Sequence, residues 1–203
     1  MLFKDYFYTT INERAFHSSP HNHDKFDLTH IGSGEGIQEY GWGLYFAETQ
    51  QGIVLYNDYF LDRLGKNPVN YEVELHIDQS ELLDWDKPYE QQSQKVQSIL
   101  KNAVEFLRNH TYHKWSDGTG QVNDPTGQRT TDVVAFSDEQ LKEAQYGPMS
   151  SFYHFLTSYS GSPKKASLGL LDNGIKGITY KSIRAKNFVV FDDTLIEIKK
   201  KTI

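Results

Sequence analysis

The order of apolar patterns predicts an α+β protein with a mostly antiparallel, split β-sheet and flanking helices. Two observations carry this. Short strand patterns stand towards both ends of the chain, with a helical stretch between them. They do not follow the regular strand–helix alternation of a doubly wound parallel sheet. The length, 203 residues, fits a single domain over 1–203, with a helical and loop insertion around 86–145.

The elements follow in order. Residues 14–17 read as a brief strand, and the segment 31–43 carries five glycines, Gly32, Gly34, Gly36, Gly41 and Gly43. Such a loop needs unusual backbone angles or a close approach to a ligand. Residues 44–47 read as a short buried strand. In 50–64, Ile53, Val54, Tyr56, Phe60, Leu61 and Leu64 keep helical spacing, and Gly65 is the stop. Strict alternation over 69–77 predicts a strand with one wet face. A second helix is expected over 89–110, with Val96, Ile99, Leu100, Ala103, Val104 and Leu107 as its stripe. The stretch 116–131, rich in Gly, Asp, Asn, Thr and Pro, reads as a loop. A short strand at 131–136 and helices at 138–145 and 148–159 follow. Ser162 and Pro163 start another helix, and Asn173 and Gly174 end it. Strands are expected at 175–180, 186–191 and 195–198, the second of them buried and central, with Asp192 and Asp193 in the turn between the last two.

Composition narrows the function. Hydrophobic residues make up 37%, but 13 Tyr, 12 Phe and 3 Trp supply enough apolar area for a core. With no cysteine there is no disulfide scaffold, thiolate metal site or cysteine nucleophile. Residues 1–5 lack the apolar run of a signal peptide, and no stretch reaches the roughly 18 apolar residues of a membrane span. A cytoplasmic protein without membrane contact is expected. The net charge of −6 gives no global attraction for nucleic acid, and Lys199, Lys200 and Lys201 read as a solvated tail. His21, His23 and His30 lie close together, but no carboxylate stands at ligand spacing on a defined element, so no metal site is expected. Gly34-Glu35-Gly36 lacks the Gly-Lys-Ser/Thr ending of a triphosphate loop.

Two segments depart from ordinary core patterning: Phe16-His17-Ser18-Ser19-Pro20 and Tyr40-Gly41-Trp42-Gly43-Leu44-Tyr45-Phe46-Ala47-Glu48. Together they resemble the start of the ADP-ribosyltransferase fold, in the class of diphtheria toxin and the poly-ADP-ribose polymerases. That class has His in its first strand, Tyr in its second and usually Glu in a later one. Its second strand commonly reads Phe-Gly-x-Gly-Ile-Tyr-Phe-Ala-Asp, which Gly41, Gly43, Tyr45, Phe46 and Ala47 match. A second tyrosine lies eleven positions further on in that class, and Tyr56 holds that offset here. The likeness is nearest to the compact transferase domains of phage and mobile-element polyvalent proteins. It covers 16–48 and 162–198, and is weak over 86–145.

The resemblance implies NAD as co-substrate and no metal. It implies a cofactor-binding set of His17, Ser18, Gly43, Tyr45, Phe46 and Tyr56, with His17, Tyr45 and Asn187 in the catalytic positions. Tyr45 and Tyr56 would sandwich the nicotinamide, the Ser18 backbone would grip its carboxamide, and His17 would hydrogen-bond the adenosine ribose. Asn187 stands where the polymerases carry Glu, in 187–192 against Glu-Tyr-Ile-Val-Tyr-Asp. An amide carries no charge and is no base, so mono-transfer is expected rather than polymer growth. Glu35, in the Gly-rich loop, is the candidate to supply a carboxylate instead. The implied partners are a macromolecular acceptor, protein or nucleic acid, and an antitoxin or inhibitor protein if the chain is a bacterial or phage toxin or effector. The other reading is an NAD- or ADP-ribose-binding module without turnover. An RNA 2′-phosphotransferase shares the fold, but Arg14, Arg63, Arg108, Arg129 and Arg184 are scattered along the chain.

Overall fold

The computed structural model describes residues 12–32, 38–115 and 131–203. In chain order come β1 (Glu13–Ser19), β2 (Leu44–Ala47), α1 (Val54–Leu64), β3 (Val69–Leu75), β4 (Leu82–Asp84), α2 (Gln94–Arg108), β5 (Thr111–Trp115) and β6 (Thr131–Ala135). Then follow α3 (Asp138–Tyr146), α4 (Met149–Ser160), α5 (Pro163–Asp172), β7 (Gly177–Lys181), β8 (Lys186–Val190) and β9 (Ile196–Thr202). Seven strands form one sheet in the order β4-β7-β8-β2-β1-β3-β9, while β5 and β6 pair separately. Every strand pair is antiparallel except β4–β7. The fold is therefore α+β with a mostly antiparallel sheet.

Where a split sheet is expected, the seven strands form one sheet, narrowest at a seam between β1 and β2. β1 and β2 share one register pair, Phe16 opposite Ala47. On its other side β1 pairs with β3 along its whole length, from Glu13–Leu75 to Ser19–Val69. β2 likewise pairs fully with β8. Two continuous half-sheets thus meet at a single point.

Local chemistry sets the element ends. The expected helix at 50–64 divides into a 3-10 turn, Gln50–Ile53, and α1, which stops where Gly65 takes a left-handed φ of 59°. The helix expected from 89 starts later, because Ser93 accepts a hydrogen bond from the Val96 amide and caps α2. Ser137 and Gln140 form a capping box on α3. Ser162 caps α5, with Pro163 in its first turn.

β4 lies beside β7, in parallel, and has no periodic pattern to announce it. Its outer edge is closed by a side chain. The buried Gln92 amide accepts from the Asp84 N–H at 2.9 Å and donates to the Asp84 carbonyl at 2.7 Å. The final strand corrects the reading of a solvated lysine tail. Lys199, Lys200 and Lys201 belong to β9, paired with β3. Lys199 bridges Glu74 and Glu197, and Lys201 reaches Asp24. The carboxylates on the wet face of β3 turn a run of like charges into a strand.

The core lies on both faces of the sheet. One face of β4, β7 and β8 presents Leu83, Ile178 and Val189 to Leu100, Leu107, Phe152 and Leu170 of the helices. Residues of the 86–145 stretch thus contribute to the larger core. The opposite face carries Ala15, Phe46, Tyr71, Val73 and Phe188, and Phe26 closes it. No helix among the described residues is long and apolar enough to cross a membrane.

Candidate functional site

The seam between β1 and β2 is where sequence-predicted site residues converge. Beyond Phe16–Ala47 the edge of β1 that faces β2 has no strand partner among the described residues. Along 17–19 the backbone groups that do not bond β3, those of every second residue, therefore face the gap. The imidazole of His17 spans it, with Nδ1 2.8 Å from the Tyr45 carbonyl oxygen. Burial lowers the His17 pKa from 6.5 to about 4; the bond to the Tyr45 carbonyl opposes this, and nearby His23 adds to it. The ring is thus neutral at pH 7, Nδ1–H donates to Tyr45, and Nε2 is left as an acceptor.

Antiparallel register puts His17 and Tyr45 on opposite faces. His17 points with Phe46 towards Phe26 and Tyr71, at ring distances of 5.2 Å to Phe26, 5.7 Å to Phe46 and 6.3 Å to Tyr71. Phe46 is 2% exposed and its ring is core, so it offers a ligand only its backbone. Tyr45 shares the other face with Ser18, Ala47, Val189 and Asn187. Its hydroxyl donates to the Gly41 carbonyl at 2.7 Å and accepts from the Tyr40 amide at 3.1 Å. Burial pushes that hydroxyl pKa up, so it stays protonated. The phenol ties down the end of the Gly-rich loop.

The two motif glycines have steric reasons. A Cβ on Gly43 would come 2.7 Å from the Val190 carbonyl oxygen, so a side chain would force β2 away from β8. Gly41 holds φ at 108°, a conformation side chains disfavour.

Tyr56 stands on α1, 54% exposed. Its hydroxyl is within electrostatic reach of Tyr40, Tyr45 and Tyr180. Tyr40 and Tyr180 stack at 3.7 Å with planes 6° apart, and Tyr180 meets Tyr45 edge-on at 6.4 Å. Four tyrosines therefore surround one region. Ser18 joins β1 to α1, its hydroxyl donating to Asn57 Oδ1 at 2.6 Å. Asn187 lies opposite Ala47 and Tyr180, and its Nδ2 donates to the Ala185 carbonyl at 2.9 Å.

The structure brings Ser18, Tyr45, Tyr56 and Asn187 to one side of the seam and puts the His17 ring on the other. Glu35 and most of the 116–131 loop lie outside the described residues. His23 stacks on Tyr71 at 4.4 Å, and no group of three metal-ligating side chains occurs among the described residues. Tyr180 and Asn57 are neighbours that sequence reasoning missed. Tyr180 was within reach: in a tight turn between the two last central strands, it falls opposite Asn187. Asn57 carries no such signal, because only the packing of α1 on β1 brings it to Ser18.

No protein-family model, curated protein or solved structure matches this chain.

Proposed function

We propose that the chain is a mono-ADP-ribosyltransferase that uses NAD, releases nicotinamide and modifies a macromolecular acceptor. The observation that carries this reading is the open seam: an unpaired β1 edge at 17–19 beside Tyr45, with Tyr56 across the same region. In this reading the nicotinamide lies between the Tyr45 and Tyr56 rings, and its carboxamide pairs with the free Ser18 backbone. His17 Nε2 accepts from a ribose hydroxyl.

The bond that breaks joins the ribose anomeric carbon to the nicotinamide nitrogen. Its electron pair leaves with neutral nicotinamide. The acceptor's lone pair forms the new bond to the sugar, and the acceptor's proton passes to water. The transition state is cation-like at the sugar, as in glycoside cleavage. Holding the nicotinamide between aromatic faces, away from water, favours that state over the bound substrate. The setting proposed is the cytoplasm, with the chain acting as a toxin or effector that a partner protein neutralises.

The test is labelled NAD added with purified protein to cell lysate, followed by separate protease and nuclease digestion. Label lost to one digestion establishes transfer and identifies the acceptor class. Tyr45→Ala should weaken NAD binding or turnover by about 1–3 kcal/mol. A folded Tyr45→Ala protein with full activity would overturn the pocket.

A second reading, an NAD- or ADP-ribose-binding module without turnover, draws on Asn187. Its amide donates to Ala185 and brings no charge to the sugar. Calorimetry showing tight NAD binding without nicotinamide release over hours would favour it.

A further inference from the structure

A cleft lies under the overhang of α1. That helix buries a single residue, Phe60, so its first turn and the 3-10 turn before it stand over the sheet without closing on it. Beneath them is a space of about 240 Å³. Sites for drug-sized ligands run to roughly 300–1,000 Å³. The cleft therefore suits a molecule of a few heavy atoms and not a dinucleotide. Register fixes its floor. Phe16 of β1 stands opposite Glu72 of β3, and Glu72 opposite Lys200 of β9, so the three share one face. Asn70, two residues before Glu72, shares it too. Phe16, Ile53 and Val54 make the apolar side of the cleft.

The polar side offers donors. Ser18 stands opposite Asn70 in register, but its hydroxyl donates to Asn57 Oδ1 instead. That occupies the Asn57 oxygen and leaves its NH2 group without a partner among the described residues. Asn70 Oδ1 is sealed from solvent without a partner, so the Asn70 amide meets the cleft through its NH2 group. Orphaned buried acceptors are rare and cost stability, so this orientation needs a reason. A donor aimed into the cleft supplies one. Lys200 adds an ammonium to the lining. The one carboxylate on that lining, Glu72, is held by Arg14 at 2.8 Å, and the Arg14 guanidinium lies over the Phe16 ring at 5.1 Å. Two cations against one carboxylate leave the cleft positive on a chain of net charge −6.

We propose that this cleft binds a small organic carboxylate with an apolar tail. Its oxygens accept from the Asn57 and Asn70 NH2 groups, Lys200 is the counter-charge, and the tail lies against Phe16, Ile53 and Val54. Inorganic phosphate would leave the apolar side unused, and a neutral apolar molecule would leave the donors unpaired. Carboxylate binding here needs no NAD, and none of the residues assigned to NAD lines the cleft.

The experiment is a titration of the isotope-labelled protein with isovalerate, followed by NMR through the side-chain NH2 signals of Asn57 and Asn70. Both signals should shift, with a dissociation constant of about 1 mM. Isovaleramide keeps the tail without the charge, and acetate keeps the charge without the tail. Each should bind at least about tenfold more weakly, as should inorganic phosphate. Lys200→Gln should weaken isovalerate about tenfold and leave the thermal melt as in the parent. Asn70→Asp sets a second carboxylate in the cleft and should abolish binding; should that variant misfold, Lys200→Gln decides. Absence of shifts up to about 50 mM isovalerate overturns the inference. So does equal affinity for isovaleramide, acetate or phosphate, or isovalerate binding unchanged in Lys200→Gln. A parent that binds isovalerate but not NAD refutes the transferase proposal and leaves this cleft standing.

Discussion

The two halves of the sheet meet at one residue pair and are stabilised by different physics. In β4–β7–β8–β2 apolar side chains cover both faces, with Leu83, Ile178 and Val189 under the helices and Phe46, Phe188 and Val190 opposite. In β1–β3–β9 one face is apolar, and the other buries a single apolar side chain, Phe16, against Ala47 and Ile53. That second face carries a lattice of ion pairs: Arg14–Glu72, Lys199–Glu74 and Lys199–Glu197. The first half is held by burial, which salt does not weaken, and the second partly by charges that water and salt screen. The seam therefore joins a firm wall to a softer one, and a ligand lodged between them would draw on both.

The largest expected effect tests the firm half. Phe152→Ala removes a fully buried ring from the helical core and should cost about 3–5 kcal/mol, read by urea unfolding. A cost below about 1 kcal/mol would show that this core is loosely packed.

The next prediction concerns the seam itself. The His17 pKa falls from 6.5 in the unfolded chain to about 4 in the folded one. The unfolded state then binds a proton that the folded state refuses. Stability from this group is complete above pH 6.5 and is lost as pH drops towards 4 and below, by about 3 kcal/mol in all. The lowered pKa of His23, also caused chiefly by burial, acts in the same sense. Melting temperature measured across that window should fall steeply in the parent and less in His17→Gln. An identical profile in the two proteins would remove His17 from the account.

Smaller again is the tie between β1 and α1. Ser18→Ala deletes the hydroxyl that donates to Asn57 and should cost about 1 kcal/mol. Asn57→Ala should add little once Ser18 is gone, since the two share one bond. Additive losses in the double-mutant cycle would mean that each residue acts through other partners. The smallest effect belongs to the ion-pair lattice. Lys199→Ala should shift the melting temperature less than any variant above, and the shift should vanish in high salt. A salt-independent loss would mean that the lysine stem, not its charge, supports β9.

The sequence is most legible where one physical rule dominates. Alternation from Val69 to Leu75 gave β3, and Gly65, Ser162 and Pro163 marked helix ends correctly. Other features depend on partners distant in the chain. Leu82–Asp84 is too short for a period, and its strand character comes from β7, almost a hundred positions away. β9 looks like a charged tail until β3 supplies Glu72 and Glu74 opposite it. In the candidate site, the spacing of Tyr45 and Tyr56 was readable, and the glycine positions were too. That the His17 ring would bond the Tyr45 carbonyl from the opposite face was not, because it follows from a register that only the folded sheet fixes. Nor did anything in the sequence signal that the Asn187 amide would turn back to Ala185.

The Gln92 amide that exchanges hydrogen bonds with Asp84 has a consequence for how copies of this molecule treat one another. An open sheet ends in two unfinished rows of donors and acceptors, each a template for a further strand. At β4 the row is terminated by a side chain that imitates one residue of a neighbour and extends no further. At β9 the row is flanked by the charged side chains Glu197, Lys199, Lys200 and Lys201, which a further strand would have to accommodate. One border is blocked by mimicry and the other is flanked by charge. Among the described residues, neither border of the sheet offers a further copy a bare template for strand addition.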